Sequence, residues 1–115
     1  MKILNKTKKN IIAEQATVAD TFISRMVGLL AHKSLLSNEA LIITQCNSIH
    51  MFFMSFAIDV IFVNKRDEVV GLIRNIKPFR LSPIFWKSSY AIEVSVGVID
   101  LSKTELGDVL ELGRK

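Results

Sequence analysis

The chain has 115 residues, half of them apolar, which suits one domain spanning 1–115 and no more. Fifteen basic residues face eleven acidic ones for a net charge of +4, and Lys2, Lys6, Lys8 and Lys9 supply that excess within the first ten residues. The remaining body is neutral, so the total implies no broad polyanion-binding face.

Met1–Leu4 and Ile11–Ala16 read as a pair of short strands around a lysine-rich turn. From Val18 the period changes. Val18, Phe22, Met26 and Leu29 recur at helical spacing, with Ile23, Val27 and Leu30 beside them, which predicts an amphipathic helix with a wide apolar face. Thr17 and Asp20 supply a start signal of the capping-box kind, and Arg25 falls near the edge of the apolar face. Leu41–Thr44 is a short β-branched run, and Ile58–Val63 is the clearest strand, apolar enough to be buried on both faces. Asn64–Asp67 reads as a turn that returns Glu68–Ile76 as a hairpin partner. Lys77–Tyr90 is irregular and holds both prolines. Ala91–Val96 is a further strand closed by Gly97. Val98–Lys103 follows as a helical turn, Leu106–Asp108 as a turn and Val109–Leu112 as a last strand. The pattern predicts a mainly β (α+β) domain, a small β-sandwich or partly open barrel with one flanking amphipathic helix.

Cysteine and leader arithmetic narrows the class. Cys46 is the single cysteine, so an intramolecular disulfide and a multi-cysteine zinc site are ruled out. His32 and His50 cannot complete a structural zinc site with it, and no cofactor is expected. His32 follows the predicted helix, where its charge suits the C-terminal dipole. The lysine-rich start lacks the apolar core of a signal peptide. The longest uncharged run, Ala40–Ile58, matches a bilayer span in length. Thr44, Gln45, Cys46, Asn47, Ser48 and His50 at its centre argue against burial in hydrocarbon. A soluble chain is expected, cytoplasmic by default, with a processed exported form as the alternative.

The segment Cys46–Asp59 concentrates the chemistry: a thiol, hydroxyls, an imidazole, two thioethers and a carboxylate within an otherwise apolar region. If extended, Cys46, Ser48 and His50 share one face, as a lined pocket or as a hydrogen-bond network tying loops together. Asp59 opens the most apolar strand, where a carboxylate needs partners. His50, Arg25 and local backbone N–H groups are the candidates, and a structural acceptor capping the turn before the strand is the favoured role. Cys46, His50 and Asp59 also compose a nucleophile, base and orienting acid, although sequence spacing does not diagnose a triad. Cys46, His50, Met51 and Met54 would suit copper(I), but a lone buried cysteine and paired methionines are also ordinary core residues. Glu93 alternates outward in its strand and reads as surface.

A second feature runs from Val69 to Ile92. Arg74, Lys77, Arg80 and Lys87 occur there with no acid, and Phe79, Phe85, Trp86 and Tyr90 are interleaved. Such a segment can bind single-stranded nucleic acid or a membrane interface. The favoured reading folds the aromatics back as a lid on the core with the basic stems reaching outward. Phe85-Trp86 is a candidate pocket wall or partner contact.

Taken together, Gly28-Leu29-Leu30, then Cys-Asn-Ser-Ile-His-Met-Phe-Phe-Met from Cys46, then Ile-Asp-Val-Ile-Phe-Val-Asn from Ile58 and Glu-Val-Val from Glu68, resemble the domain of unknown function 192 family. Ile92-Glu-Val-Ser-Val-Gly97 and Leu106-Gly-Asp108 match its closing pattern, so the resemblance covers roughly 16–112. It picks out Arg25, Gly28, Cys46, Ser48, His50, Met54, Asp59, Phe62, Glu93, Gly97, Gly107 and Asp108. Ala57 stands where the pattern tends to have proline and Met51 where it tends to have threonine; many members carry an aromatic at the position of His50. The resemblance implies a compact β-sandwich-like or barrel-like fold with a flanking helix, in bacterial and archaeal proteins, and no established activity.

The expectation is a non-enzymatic binding or accessory module with a small-ligand pocket lined by Arg25, Cys46, Ser48, His50, Asp59 and Trp86. The alternatives are a Cys/His-dependent hydrolase or transferase, and a weak anionic-surface or nucleic-acid binder through residues 74–87. The partner is an unknown small molecule or protein, without a strong nucleic-acid signal and without a transmembrane segment.

Overall fold

A computed structural model describes residues 1–19, 36–48 and 56–113. Its strands are β1 (Lys2–Asn5), β2 (Asn10–Ala13), β3 (Gln15–Ala19), β4 (Glu39–Thr44), β5 (Ile58–Val63), β6 (Val69–Ile76), β7 (Tyr90–Val94) and β8 (Leu110–Gly113), with a short helix α1 (Val98–Leu101) between β7 and β8. They form two sheets, a three-stranded one in the order β2-β1-β8 and a five-stranded one in the order β3-β4-β7-β5-β6. Mainly β architecture with short elements is therefore as expected from the chain, in the form of two sheets. Among the described residues the helix is α1; the predicted helix that would carry Arg25 falls on residues outside the description.

The start of that predicted helix needs correction. Val18 lies in β3, which pairs parallel to β4 with Val18 opposite Ile42. Thr17 and Val18 are exposed on an edge strand, and β-branched residues suit an extended backbone as readily as the rim of a helical stripe. All other described pairings of named strands are antiparallel.

The five-stranded sheet is buried on both faces. One face packs Ala40, Ile42, Ile61, Val63, Ile92 and Val94 against Ile3, Ile12 and Leu110 of the smaller sheet and against Val98 and Ile99 of α1. The other face gathers Leu41, Ile43, Ile58, Val60, Phe62, Ile76 and Ala91, with Cys46, Phe56 and Phe85 packed against them. Every residue of β5 is buried, which is why its sequence shows no apolar/polar alternation.

This covering also corrects the reading of Glu93. Alternation points Glu93 away from Ile92 and Val94, but that face is a second core and not solvent. Glu93 is fully buried, opposite Leu41 on one side and Val60 on the other.

The lysine-rich start is partly structural. Lys8 reaches across from the β1–β2 turn to bond both oxygens of Asp108 at 2.9 Å. Asp108 also accepts from the Asn5 side chain at 2.9 Å and from the Glu105 backbone at 2.9 Å. Burial alone would raise the Asp108 carboxyl, but these bonds, that of Lys8 foremost, hold it below the ordinary carboxylate value. The same bond, with a second that Lys8 donates to the Glu105 carboxylate, raises the Lys8 ammonium above its ordinary value. Gly107, at φ 88, makes the turn that presents Asp108.

Candidate functional site

The positions flagged in the sequence fall at opposite ends of the five-stranded sheet. The register places Asp59 opposite Val94, and Val94 opposite Ala40. At the other end Val63 faces Tyr90, and Tyr90 faces Thr44, just before Cys46. The four steps from Ala40 to Thr44 alone separate the two ends by about 13 Å. Asp59 also shares its face with Ile61 and Val63, whereas Cys46 packs with the core on the opposite face. Cys46 and Asp59 are thus not brought together, so the nucleophile–acid pairing drawn from their nearness in sequence has no geometric basis. Arg25, His50, Met51 and Met54 lie outside the described residues.

Asp59 has a structural set of partners, although none belongs to a turn immediately before its strand. Its Oδ1 accepts the Asn75 N–H at 2.9 Å; its Oδ2 accepts the N–H groups of Gly97 at 3.0 Å and Ile99 at 3.2 Å. The first donor exists because β6 carries one extra residue there. Ile58 pairs with Ile76 and Val60 with Ile73, so the strand bulges and Asn75 turns to φ 55. The second pair exists because Gly97, at φ 99, turns the chain into α1 and aims the helix-start N–H groups inward. A buried carboxylate thereby locks a bulge to a helix start, and one charge with three charge-assisted bonds offsets its loss of hydration.

The opposite end is a convergence of loops. The Cys46 N–H donates to the Ser89 carbonyl at 3.2 Å, and the Phe85 N–H to the Asn47 carbonyl at 2.8 Å. Ser88 Oγ donates to the Cys46 carbonyl at 2.8 Å, and the Ser89 N–H to the Val63 carbonyl at 2.7 Å. These bonds join residues 45–48 to residues 85–89 and to the end of β5. Phe85 anchors its loop by stacking on Phe62, with ring centroids 4.4 Å apart. Gly71 makes room for it, since a Cβ there would stand 2.5 Å from the Phe85 ring. The Cys46 thiol is half-buried, and Sγ donates to the Ser48 carbonyl at 3.1 Å. Ser48 itself is exposed.

Trp86 projects from this end with four-fifths of its surface in solvent. It borders a cavity of about 330 Å3 together with Asn64, Lys65 and Arg66 of the β5–β6 turn, and Lys87, Ser88 and Ser89 of its own loop. No carboxylate is among these described lining residues. The turn is held in shape by Asn64, whose Oδ1 accepts the Arg66 and Glu68 N–H groups, each at 2.9 Å. Tyr90 braces it by donating to Asp67 Oδ1 at 2.8 Å. A second cavity, of about 470 Å3, lies beyond Gln45 and Ser89 and is walled by Ile42, Tyr90 and Leu112.

Of the six flagged site residues, then, Cys46, Ser48 and Trp86 stand at one end and Asp59 at the other. The sequence reading missed Lys65 and Arg66, and named Lys87 only within the basic aromatic stretch. The nearness of Lys65 and Arg66 to Trp86 depends on Val63 pairing with Tyr90, a register that local sequence does not carry. The aromatic stretch divides. Phe85 and Tyr90 fold back as expected, while Phe79 and Trp86 face solvent. No described helix is long and apolar enough to cross a membrane.

Comparison with known proteins gives a consistent lineage. The model of DUF192, described as an uncharacterized ACR, matches residues 3–112. A UPF0127 protein of Thermococcus sibiricus is 40% identical over 115 residues, covering 95% of this chain and 73% of its own length. A UPF0127 protein of Pyrococcus furiosus is 38% identical over 115 residues, with 97% and 98% covered. Among solved structures, a protein of unknown function from Novosphingobium aromaticivorans superposes with a TM-score of 0.80 at 18% identity, over 96% of this chain and 82% of that one. A proposed transcription regulator from Sinorhizobium meliloti does so with a TM-score of 0.76 at 14% identity, over 96% and 89%. At such identities the likeness concerns the fold.

Proposed function

Because the chain belongs to the DUF192 family, whose members carry no assigned activity, we propose a function from its own residues: a non-catalytic binding module for a small organic anion, with its site beside Trp86. The observation that carries this reading is the exposed indole at a cavity with three cations and no carboxylate among the described lining residues. A planar anion would stack on the indole while Lys65, Arg66 and Lys87 neutralise it. The volume, about 330 Å3, suits a molecule at the small end of ordinary ligand sites. Cys46 and Asn47 support the site from behind through the bonds that tie them to the Trp86 loop.

Binding is favoured over catalysis by the setting of Cys46. Its Sγ lies 3.1 Å from the Ser48 carbonyl, and the acid proposed to orient a base stands at the far end of the sheet. Trp86 is the single tryptophan, so its emission reports the site directly. Titration with benzoate and with adenosine monophosphate should give a saturable change in emission that Lys65→Ala/Lys87→Ala weakens and salt opposes. An unchanged emission with both probes up to millimolar levels would sink the proposal.

A further inference from the structure

Four large apolar side chains of the β6–β7 connection stand in solvent within eight residues: Phe79 (72% exposed), Leu81 (66%), Ile84 (49%) and Trp86 (80%). A single exposed leucine is ordinary, whereas a cluster of this kind marks a surface that meets something. The loop carrying them is anchored, since Phe85 between Ile84 and Trp86 is stacked on Phe62. Phe79 holds a left-handed backbone, φ 65, without gaining burial for its ring, so the strain does not serve the core.

The cations of the same loop are uncommitted. Lys77, Arg80 and Lys87 are exposed and join no ion pair among the described residues. Arg74, just before them, is spent on Asp100 at 2.8 Å. The loop therefore presents apolar tips beside unbalanced positive charge, complementary to an anionic surface that has an apolar layer beneath it.

We infer that residues 77–87 form a peripheral docking element for an anionic lipid bilayer. Phe79 and Trp86 suit the headgroup level, where aromatic rings concentrate, and Leu81 and Ile84 reach the acyl boundary. Lys77, Arg80 and Lys87 meet the negative headgroups. Single-stranded nucleic acid accounts for less of the surface. Leu81 and Ile84 have no π face for base stacking, and Phe85 is committed to the core. The inference goes beyond the small-anion site, because Phe79, Arg80, Leu81 and Ile84 do not border the Trp86 cavity.

The test is co-sedimentation of the full chain with vesicles of phosphatidylcholine alone and of an equal mixture with phosphatidylglycerol. The inference requires binding to the mixed vesicles, weak binding to the neutral ones, and a blue shift of Trp86 emission on binding. Phe79→Ser/Leu81→Ser should lower partitioning about tenfold or more, and Arg80→Gln about fivefold. These side chains are exposed, so far-UV circular dichroism should confirm an unchanged fold in both variants. The double variant spares the Trp86 cavity, so its response to benzoate should match that of the parent chain. No binding to mixed vesicles overturns the inference, as does equal partitioning of parent and double variant. Tight binding of a single-stranded oligonucleotide with no vesicle binding overturns it in favour of nucleic acid.

Discussion

Removing the Asp59 carboxylate should destabilise the fold at a point no surface assay would notice. In Asp59→Ala the N–H groups of Asn75, Gly97 and Ile99 lose their acceptor together. The Ile99 bond is buried, and its orphaned donor costs about 2 kcal/mol; the other two are part-buried and cost about 1 kcal/mol each, for about 4 kcal/mol in all. A domain of this size has roughly 5–15 kcal/mol in total, so the loss should be plain in urea denaturation. Far-UV circular dichroism is the suitable probe, because Trp86 already faces solvent and would report unfolding poorly. Asp59→Asn should cost about half as much, since its carbonyl keeps one end of the network while its amide turns a donor toward donors. An Asp59→Ala variant with unchanged slope and a stability within about 1 kcal/mol of the parent would refute the reasoning, because the three amides would then have needed no carboxylate.

Three further outcomes follow from the same geometry. Asp108 titrates below its ordinary value when folded, so between the folded and unfolded values the unfolded chain binds more protons and stability rises with pH. Acidification from about pH 4 downward should therefore erode the melting temperature, and Asp108→Asn should flatten that acid limb while lowering stability at neutral pH. Phe85→Ala should cost about 3 kcal/mol by stripping the ring from Phe62 and opening the space above Gly71, measured by the same denaturation. Trp86→Phe should change stability by less than about 0.5 kcal/mol while altering the response to anions, as read by calorimetric titration.

The strands were legible in the sequence wherever hydrophobic pattern and turn chemistry agreed. Ile58–Val63 is continuous apolar chain and becomes a strand buried on both faces; Asn64–Asp67 is a turn because the Asn64 side chain can cap the N–H groups that follow it. Val18 failed because a single β-branched residue at the head of an apolar helical stripe fits the end of an edge strand equally well. Glu93 failed because alternation identifies the face of a side chain without saying whether that face is covered. The family pattern had singled out Glu93, Gly97 and Asp108, and the last two prove to hold turns and buried bonds together.

The site was less legible for a topological reason. Nearness in sequence joined Cys46 to Asp59, but Cys46 follows Thr44 at one end of the sheet while Asp59 stands opposite Val94 at the other. Lys65, Arg66 and Lys87 looked like a turn and a basic stretch until strand pairing set them around one cavity. The role of Asp59 was readable in kind, as a structural acceptor, while its partners depended on a bulge sixteen residues away and a glycine near the end of the chain.

The separation of a binding end from a structural end is tested most directly by amide chemical-shift mapping during titration with benzoate. Saturable shifts are expected at Asn64–Arg66 and Trp86–Ser89, with Asn75, Gly97 and Ile99 unmoved. Shifts centred on those three amides around Asp59, or no saturable shifts at the Trp86 end, would contradict that separation.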